Sequence, residues 1–274
     1  MHGYRYAEKW RESDKGNDGE VTLRHQARAL ENKVSSLIFR LRTTRAESFE
    51  CPVCGYRGPF MDVHPPTGRR RHAKCPTCGA AERHRLQFLV LKDILGALDA
   101  SGLRMLHFAP EPLFRELFRT RFGKYETADL SMRGVDHNVD LQQLPFDSET
   151  FDFVFASHVL EHVPDDERAI SEIRRILKPN GVAVLPVPIV AEVTVEYPGP
   201  NAQEAFHVRA PGRDYFKRYE RHFSSVEVIT SESHPQKYQL YVYEDRTNLP
   251  NKRYPLRPSM QGERHLDFVP VCRV

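Results

Sequence analysis

The sequence predicts an α/β fold built on a doubly wound, mostly parallel sheet, and three observations carry that prediction. Phe151–Ala156 is a short, continuous apolar run of the kind buried on both faces in a parallel sheet. Behind the acidic start Asp165-Asp166, Ile170, Ile173, Ile176 and Leu177 recur at helical spacing, and Pro179-Asn180-Gly181 closes the helix. Residues 182–187 form a second apolar run. Strand, helix and strand in that order make a crossover, and a crossover of this length joins parallel neighbours.

The chain has 274 residues, enough for one full α/β domain plus a small appendage. Hydrophobic residues make up 40% of it, no apolar run reaches membrane-spanning length, and the N-terminus lacks the apolar core of an export signal. A soluble, cytoplasmic protein is therefore expected. The net charge of +3 is too small to argue for nucleic acid by itself. Five cysteines fall as two pairs plus Cys272, and with no export signal a metal site is expected in place of disulfides.

Residues 1–48 read as an extension: a polar, poorly ordered start, then a helix over residues 21–42. Leu23, Ala27, Leu30, Val34, Leu37, Ile38 and Leu41 share one face of it, which would cover the protein's own body or a second copy, or lie on a membrane or partner. Residues 49–85 read as a zinc ribbon. Cys51-Pro-Val-Cys54-Gly and Cys75-Pro-Thr-Cys78-Gly are near-identical knuckles, each aiming two thiolates at one point. Two knuckles supply four sulfurs and leave no open position, so the zinc would be structural. His64, His72 and His84 are not needed as ligands. Arg69-Arg-Arg-His-Ala-Lys74 reads as a basic hairpin tip, either solvated or able to touch phosphates. A helix follows through Lys92. Its Glu82, Arg83 and Arg85 would form an ion network between ribbon and fold, or contact substrate.

Residues 103–108 are the first strand of the sheet, and residues 125–130 the second. Asp129, at the end of the second, can accept both hydroxyls of a ribose or cap the turn at Ser131. His158, Glu161 and His162 follow the strand 151–156, at the edge where doubly wound sheets bind ligands. A histidine there can take a proton from a nucleophile, or Glu161 and His162 can serve the fold alone. Farther on, residues 215–223 are expected as a helix, residues 226–230 as the sixth strand and residues 239–243 as the seventh. No element is assigned to residues 246–274, and Cys272 is taken as an incidental thiol.

The segment LPFDSETFDFVFASHVLEHVPDDERAISEIRRILKPNGVAVLPVPI resembles the central part of class I S-adenosylmethionine-dependent methyltransferases of the type 11-like kind. CPTCGAAERHRLQFLVLKDIL followed by MLHFAPEP resembles a bacterial subgroup of them that begins with a zinc ribbon. The resemblance implies a Rossmann-like seven-stranded methyltransferase sheet over residues 86–245, followed by a tail, residues 246–274. It also implies S-adenosylmethionine as cofactor. His107 stands at the usual acid of the first loop, and Ala109, Glu111 and Leu113 replace its usual glycines. Glu111 would then hold the α-amino end and Asp129 with Leu130 the ribose. Asp140 and Leu141 would hold the adenine, with Ser157 alongside. His158, His162 and His207 are the catalytic candidates. Thr194, Glu196, His207, Arg209, Gly212, Asp214 and Tyr215 match the subgroup's Thr-x-Glu and His-Val-Arg-x-x-Gly-x-Asp-Tyr. They would form a lid over an anionic or hydroxylated acceptor, or simply order the lid itself. Methyl transfer to a small-molecule or glycan acceptor is the activity implied. The rivals are an RNA substrate gripped by the ribbon, a zinc-stabilised scaffold without catalysis, and a use of S-adenosylmethionine other than methyl donation.

Overall fold

Four short strands come first in the computed structural model, which describes Phe39, residues 47–65 and residues 67–274. Apart from Phe39, the expected helix over residues 21–42 lies outside the described residues. The strands are Phe49–Glu50 (β1), Arg57–Gly58 (β2), Met61–Val63 (β3) and Arg70–Lys74 (β4). β1 pairs with β2 across the first knuckle, and β3 pairs with β4. The basic run is thus mostly strand and not a free tip, which corrects the expectation. Arg69 donates to Asp62, Arg70 to Glu82 and Arg71 to Glu263, at 2.8, 2.9 and 3.1 Å.

Helix α1 (Glu82–Gly96) leaves the second knuckle. Its Leu86, Val90, Leu91 and Leu95 are buried on one face of the main sheet, with Met105, Phe153, Val184 and Val269. Strand β5 (Arg104–Phe108), helix α2 (Pro112–Arg119), strand β6 (Lys124–Asp129) and the short β7 (His137–Asn138) follow, then β8 (Phe151–Ala156). Helix α3 (Asp166–Ile176) begins at Asp165, whose side chain accepts from Arg168 N. Its Ala169, Ile170, Ile173 and Ile176 fill the opposite face of the sheet. The helix ends before Pro179 is reached. Chain extension starts at once in β9 (Leu177–Val184), and Asn180 takes a left-handed φ of 67° within it.

A lid pair, β10 (Val195–Asn201) and β11 (His207–Ala210), is followed by α4 (Phe216–Glu220) and β12 (Ser225–Thr230). The last strands are β13 (Val242–Glu244), β14 (Arg264–His265) and β15 (Phe268–Arg273). The main sheet runs β12-β15-β9-β8-β5-β6-β7. β5 to β9 are mutually parallel, and β15 lies antiparallel between β9 and β12. This is the Rossmann-like seven-stranded methyltransferase sheet, with the order reversing at β5.

The seventh strand is a correction. Residues 268–273, expected in an unassigned tail, fill that place, while residues 242–244 join the ribbon in a second sheet ordered β14-β13-β4-β3. Cys272 is fully buried in β15, within the core. Among the described residues, no helix is long and apolar enough to cross a membrane.

Candidate cofactor and acceptor site

The two knuckles fold as the same turn. Gly55 N donates to Cys51 O at 2.9 Å and Gly79 N to Cys75 O at 3.0 Å, with both glycines left-handed at φ 72° and 76°. Only glycine adopts that conformation without strain. The turns bring the four sulfurs together, with Cys51 Sγ 3.6 Å from Cys78 Sγ and Cys54 Sγ 3.7 Å from Cys75 Sγ. A tetrahedron with zinc–sulfur bonds of about 2.3 Å has edges of about 3.8 Å, so the donor set and its spacing fit zinc.

The Glu-Arg-His-Arg run at the head of α1 divides its work. Arg85 is fully buried and donates to the carbonyls of Ala73, Ala80, Tyr238 and Gln239, with its guanidinium 4.3 Å over the Phe60 ring. Burial lowers its pKa to about 10, so it stays charged. Glu82, also fully buried, takes Arg70. These two residues join the ribbon to the fold. Arg83 and His84 point instead to Glu111, each 3.0 Å from Oε1. Burial works against the Glu111 carboxylate, but the His84 bond and the Arg83 charge outweigh it and hold the pKa down at about 2.

Two residues in left-handed conformation mark the carboxyl ends of adjacent strands: Ala109 after β5 at φ 44° and His158 after β8 at φ 55°. Outliers of this kind concentrate where a ligand must be approached. Ala109 N donates to Ala128 O, and His158 N to Pro186 O. Glu111 N-caps α2, and among the described residues its second oxygen is buried without a partner. At the end of β6, Asp129 Oδ1 accepts from Ser131 N and Met132 N at 2.8 and 2.7 Å. No described residue donates to Oδ2. Leu130 beside it is 63% exposed. Asp140 Oδ1 accepts from Gln142 N, and Leu141 is buried in the core. An α-amino group suits the orphaned Glu111 oxygen, and a diol suits Asp129 Oδ2, so this edge fits an amino-acid-bearing nucleoside.

Like Leu141, two further cofactor candidates face into the protein. His107 is fully buried among Phe118, Phe155 and Tyr125, with Nδ1 2.9 Å from Tyr125 Oη, because β5 turns it into the core. Burial depresses its pKa to about 3. Ser157, also buried, donates to Gln87 Oε1 at 3.1 Å.

A cavity of about 390 Å³ opens beside this edge, with His158 and His207 in its wall. Its guanidinium groups all meet carboxylates: Arg70 meets Glu82 at 2.9 Å, Arg83 meets Glu111 at 3.0 Å, Arg246 meets Glu244 at 2.9 Å and Arg257 meets Glu204 at 3.7 Å. Asp267 completes the wall. Buried and with its pKa raised by that burial, it was not singled out from the sequence, and neither were Glu204, Arg246 and Arg257. His162 stands next to His207, their ring centroids 4.6 Å apart and edge-on. Burial lowers the His207 pKa to about 4. His158 Nδ1 lies 3.4 Å from Glu161 Oε1.

The other lid residues bind one another. Arg209, 2% exposed, pairs with Glu196 and donates to the carbonyls of Leu160, Val163 and Pro164. Tyr215 is fully buried on Asp166, and Asp214 accepts from Thr194 N and Oγ1. Gly212 has no room for a side chain, since a Cβ would lie 2.4 Å from Thr194 N. Thr194, Glu196, Arg209, Asp214 and Tyr215 are thus tied to one another or to neighbouring groups of the fold, and of that set only His207 lines the cavity.

Residues 97–185 match the family model described as a methyltransferase domain. That match covers the strands β5 to β9 and the loops that carry Glu111, Asp129 and His158. The demethylmenaquinone methyltransferase of Staphylococcus epidermidis is 42% identical over 62 residues, 23% of this chain and 25% of that protein. The sarcosine/dimethylglycine N-methyltransferase of Halorhodospira halochloris is 25% identical over 136 residues, 48% of this chain and 49% of that one. The chain thus spans between a quarter and half of the length of these curated relatives. A solved S-adenosylmethionine-dependent methyltransferase from Mesorhizobium loti is similar over 66% of this chain and 96% of that one, at 16% identity and a TM-score of 0.44.

Proposed function

We propose that the protein is a cytoplasmic enzyme that transfers a methyl group from S-adenosylmethionine to a hydroxylated small-molecule or glycan acceptor. The observation that carries this reading is Asp129. In a segment matched by a methyltransferase domain model, it stands at the carboxyl end of the second strand with Oδ1 fixed by two amides and Oδ2 left to accept. Oδ2 would take the ribose, the buried second oxygen of Glu111 the α-amino group, and Asp140 the adenine edge. When bound, the cofactor supplies an electrophilic methyl group on a sulfonium.

The cavity beside this edge suits a neutral polar acceptor. Its guanidinium groups are paired with carboxylates, so it offers hydrogen-bond donors and acceptors together and not a bare positive surface. His158, its Nδ1 3.4 Å from Glu161 Oε1, would orient the acceptor and take its proton. The chemistry asks mainly for alignment of the two reactants, and the left-handed turns at Ala109 and His158 fix the backbone on both sides of the meeting point. The ribbon would hold a structural zinc. An RNA acceptor has less support, because the arginines of the ribbon are tied to Asp62, Glu82 and Glu263.

Calorimetric titration of the metal-replete protein with S-adenosylmethionine and S-adenosylhomocysteine tests the proposal. Micromolar binding is expected, weakened at least tenfold in Asp129→Ala. A folded wild type that binds neither compound would overturn it.

A further inference from the structure

Both oxygens of Glu161 and Nδ1 of His207 are buried without a hydrogen-bond partner among the described residues. Glu161 is 1% exposed, and burying a carboxylate with no donor costs several kcal/mol, so the arrangement calls for a positive partner. Two histidines approach it: His158 Nδ1 at 3.4 Å and His162 Nε2 at 4.0 Å, longer than hydrogen bonds. One ligand atom each from Glu161, His162 and His207 lie within 4.8 Å of one another. Atoms at that mutual distance surround a space suited to an ion more than to an organic group.

The backbone holds this cluster rigidly. Glu161 and His162 share the short 3-10 turn Leu160–His162, while His207 opens β11. Arg209, two residues farther along β11, donates to the carbonyls of Leu160, Val163 and Pro164 and so clamps the strand onto that turn. That contact ties the turn bearing Glu161 and His162 to the strand bearing His207.

We infer that Glu161, His162 and His207 bind a divalent first-row transition-metal ion beside the cavity wall. One carboxylate and two imidazoles form a three-ligand set that such ions accept with further positions open. His207 belongs to both the set and the cavity wall, so an open position can face the cavity. This site is distinct from the four sulfurs of the ribbon and from the cofactor edge. It goes beyond the methyl-transfer reading and does not depend on it, because metal uptake is measured with neither cofactor nor acceptor present.

The test uses the full chain loaded with Co(II) and dialysed to equilibrium. Cobalt in the ribbon gives intense thiolate charge-transfer bands, whereas a carboxylate–imidazole ion gives none, so the bands report both the ribbon and its folding. The wild type should hold two cobalt ions per chain. His162→Ala, at a partly exposed position, and His207→Gln should each hold one, with the thiolate bands and melting temperature kept. Glu161→Gln should do the same or bind the second ion at least tenfold more weakly. A wild type holding a single ion would overturn the inference. So would a second ion that persists at unchanged affinity in both His162→Ala and His207→Gln.

Discussion

His107 shows how one side chain can stand at a family's ligand position and serve the fold instead. β5 points it between Phe118 and Phe155, and its Nδ1 meets Tyr125. Burial is the largest influence on it and lowers its pKa from 6.5 to about 3, against the opposing charge of Glu111. An unfolded chain binds a proton near pH 6.5 that the folded chain refuses. The contribution of His107 to stability is therefore complete above pH 6.5 and is lost as the pH falls toward 3. Carboxylates held low, such as Glu111 and Glu126, take effect only below about pH 4.5, which leaves the interval from 6.5 to 5 to the buried histidines and to the raised carboxyls of Glu204 and Asp267, and a variant at His107 keeps both carboxyls. His107→Phe keeps the aromatic packing and removes the proton site. Urea unfolding at pH 7 and pH 5 should show the wild type losing about 2 kcal/mol more than the variant over that interval. Equal losses in both would mean that His107 is protonated in the folded state.

At the scale of elements, α1 joins the ribbon to the main sheet, and Arg85 anchors it. Removing that guanidinium takes donors from the buried carbonyls of Ala73 and Gln239 and leaves Ala80 O with Cys75 N alone. Arg85→Met should cost roughly 3–5 kcal/mol by denaturant unfolding, from several unpaired buried groups at once. Arg83→Ala removes only a partly exposed pair with Glu111 and should cost about 1 kcal/mol or less. If both variants behave alike, Arg85 is not the anchor.

The parallel strands and α3 were legible because continuous apolar runs and 3.6-residue spacing are local signals. The knuckles were legible because repeated spacing carries its own geometry. β15 was not, since Pro270 interrupts Phe268–Arg273 with a residue that lacks an N–H. The strand tolerates it because the Pro270 carbonyl still accepts from Leu185 N. The partners of Arg209 and Tyr215 were equally hidden, because Leu160, Val163, Pro164 and Asp166 are far from them in sequence. Polarity alone could not tell a lid residue that orders the lid from one that reaches a ligand.

The whole molecule joins the two ends of the described chain in one small sheet. β4 of the ribbon pairs with β13, and β13 pairs with β14, just before β15 enters the main sheet. The cavity wall draws on the same pieces: Arg70 from β4, Glu244 from β13, and Arg246, Arg257 and Asp267 around them. Zinc in the knuckles would thus fix more than the ribbon. Without that metal, the four cysteines would no longer hold β1 to β4 in place, and β13 would lose its partner strand. Strands β5, β8 and β9 keep their partners and both hydrophobic faces, so they should remain folded. Hydrogen exchange before and after chelation, or in Cys75→Ser, separates these outcomes. Amide protection is expected to fall together in residues 70–74 and 242–244, with residues 104–108 and 151–156 unchanged. Loss confined to residues 49–80 would make the ribbon an independent appendage. Loss throughout would mean that the methyltransferase-like sheet cannot stand without its metal. The joint loss alone would show that zinc in the ribbon holds one wall of the cavity, and through it the shape presented to an acceptor.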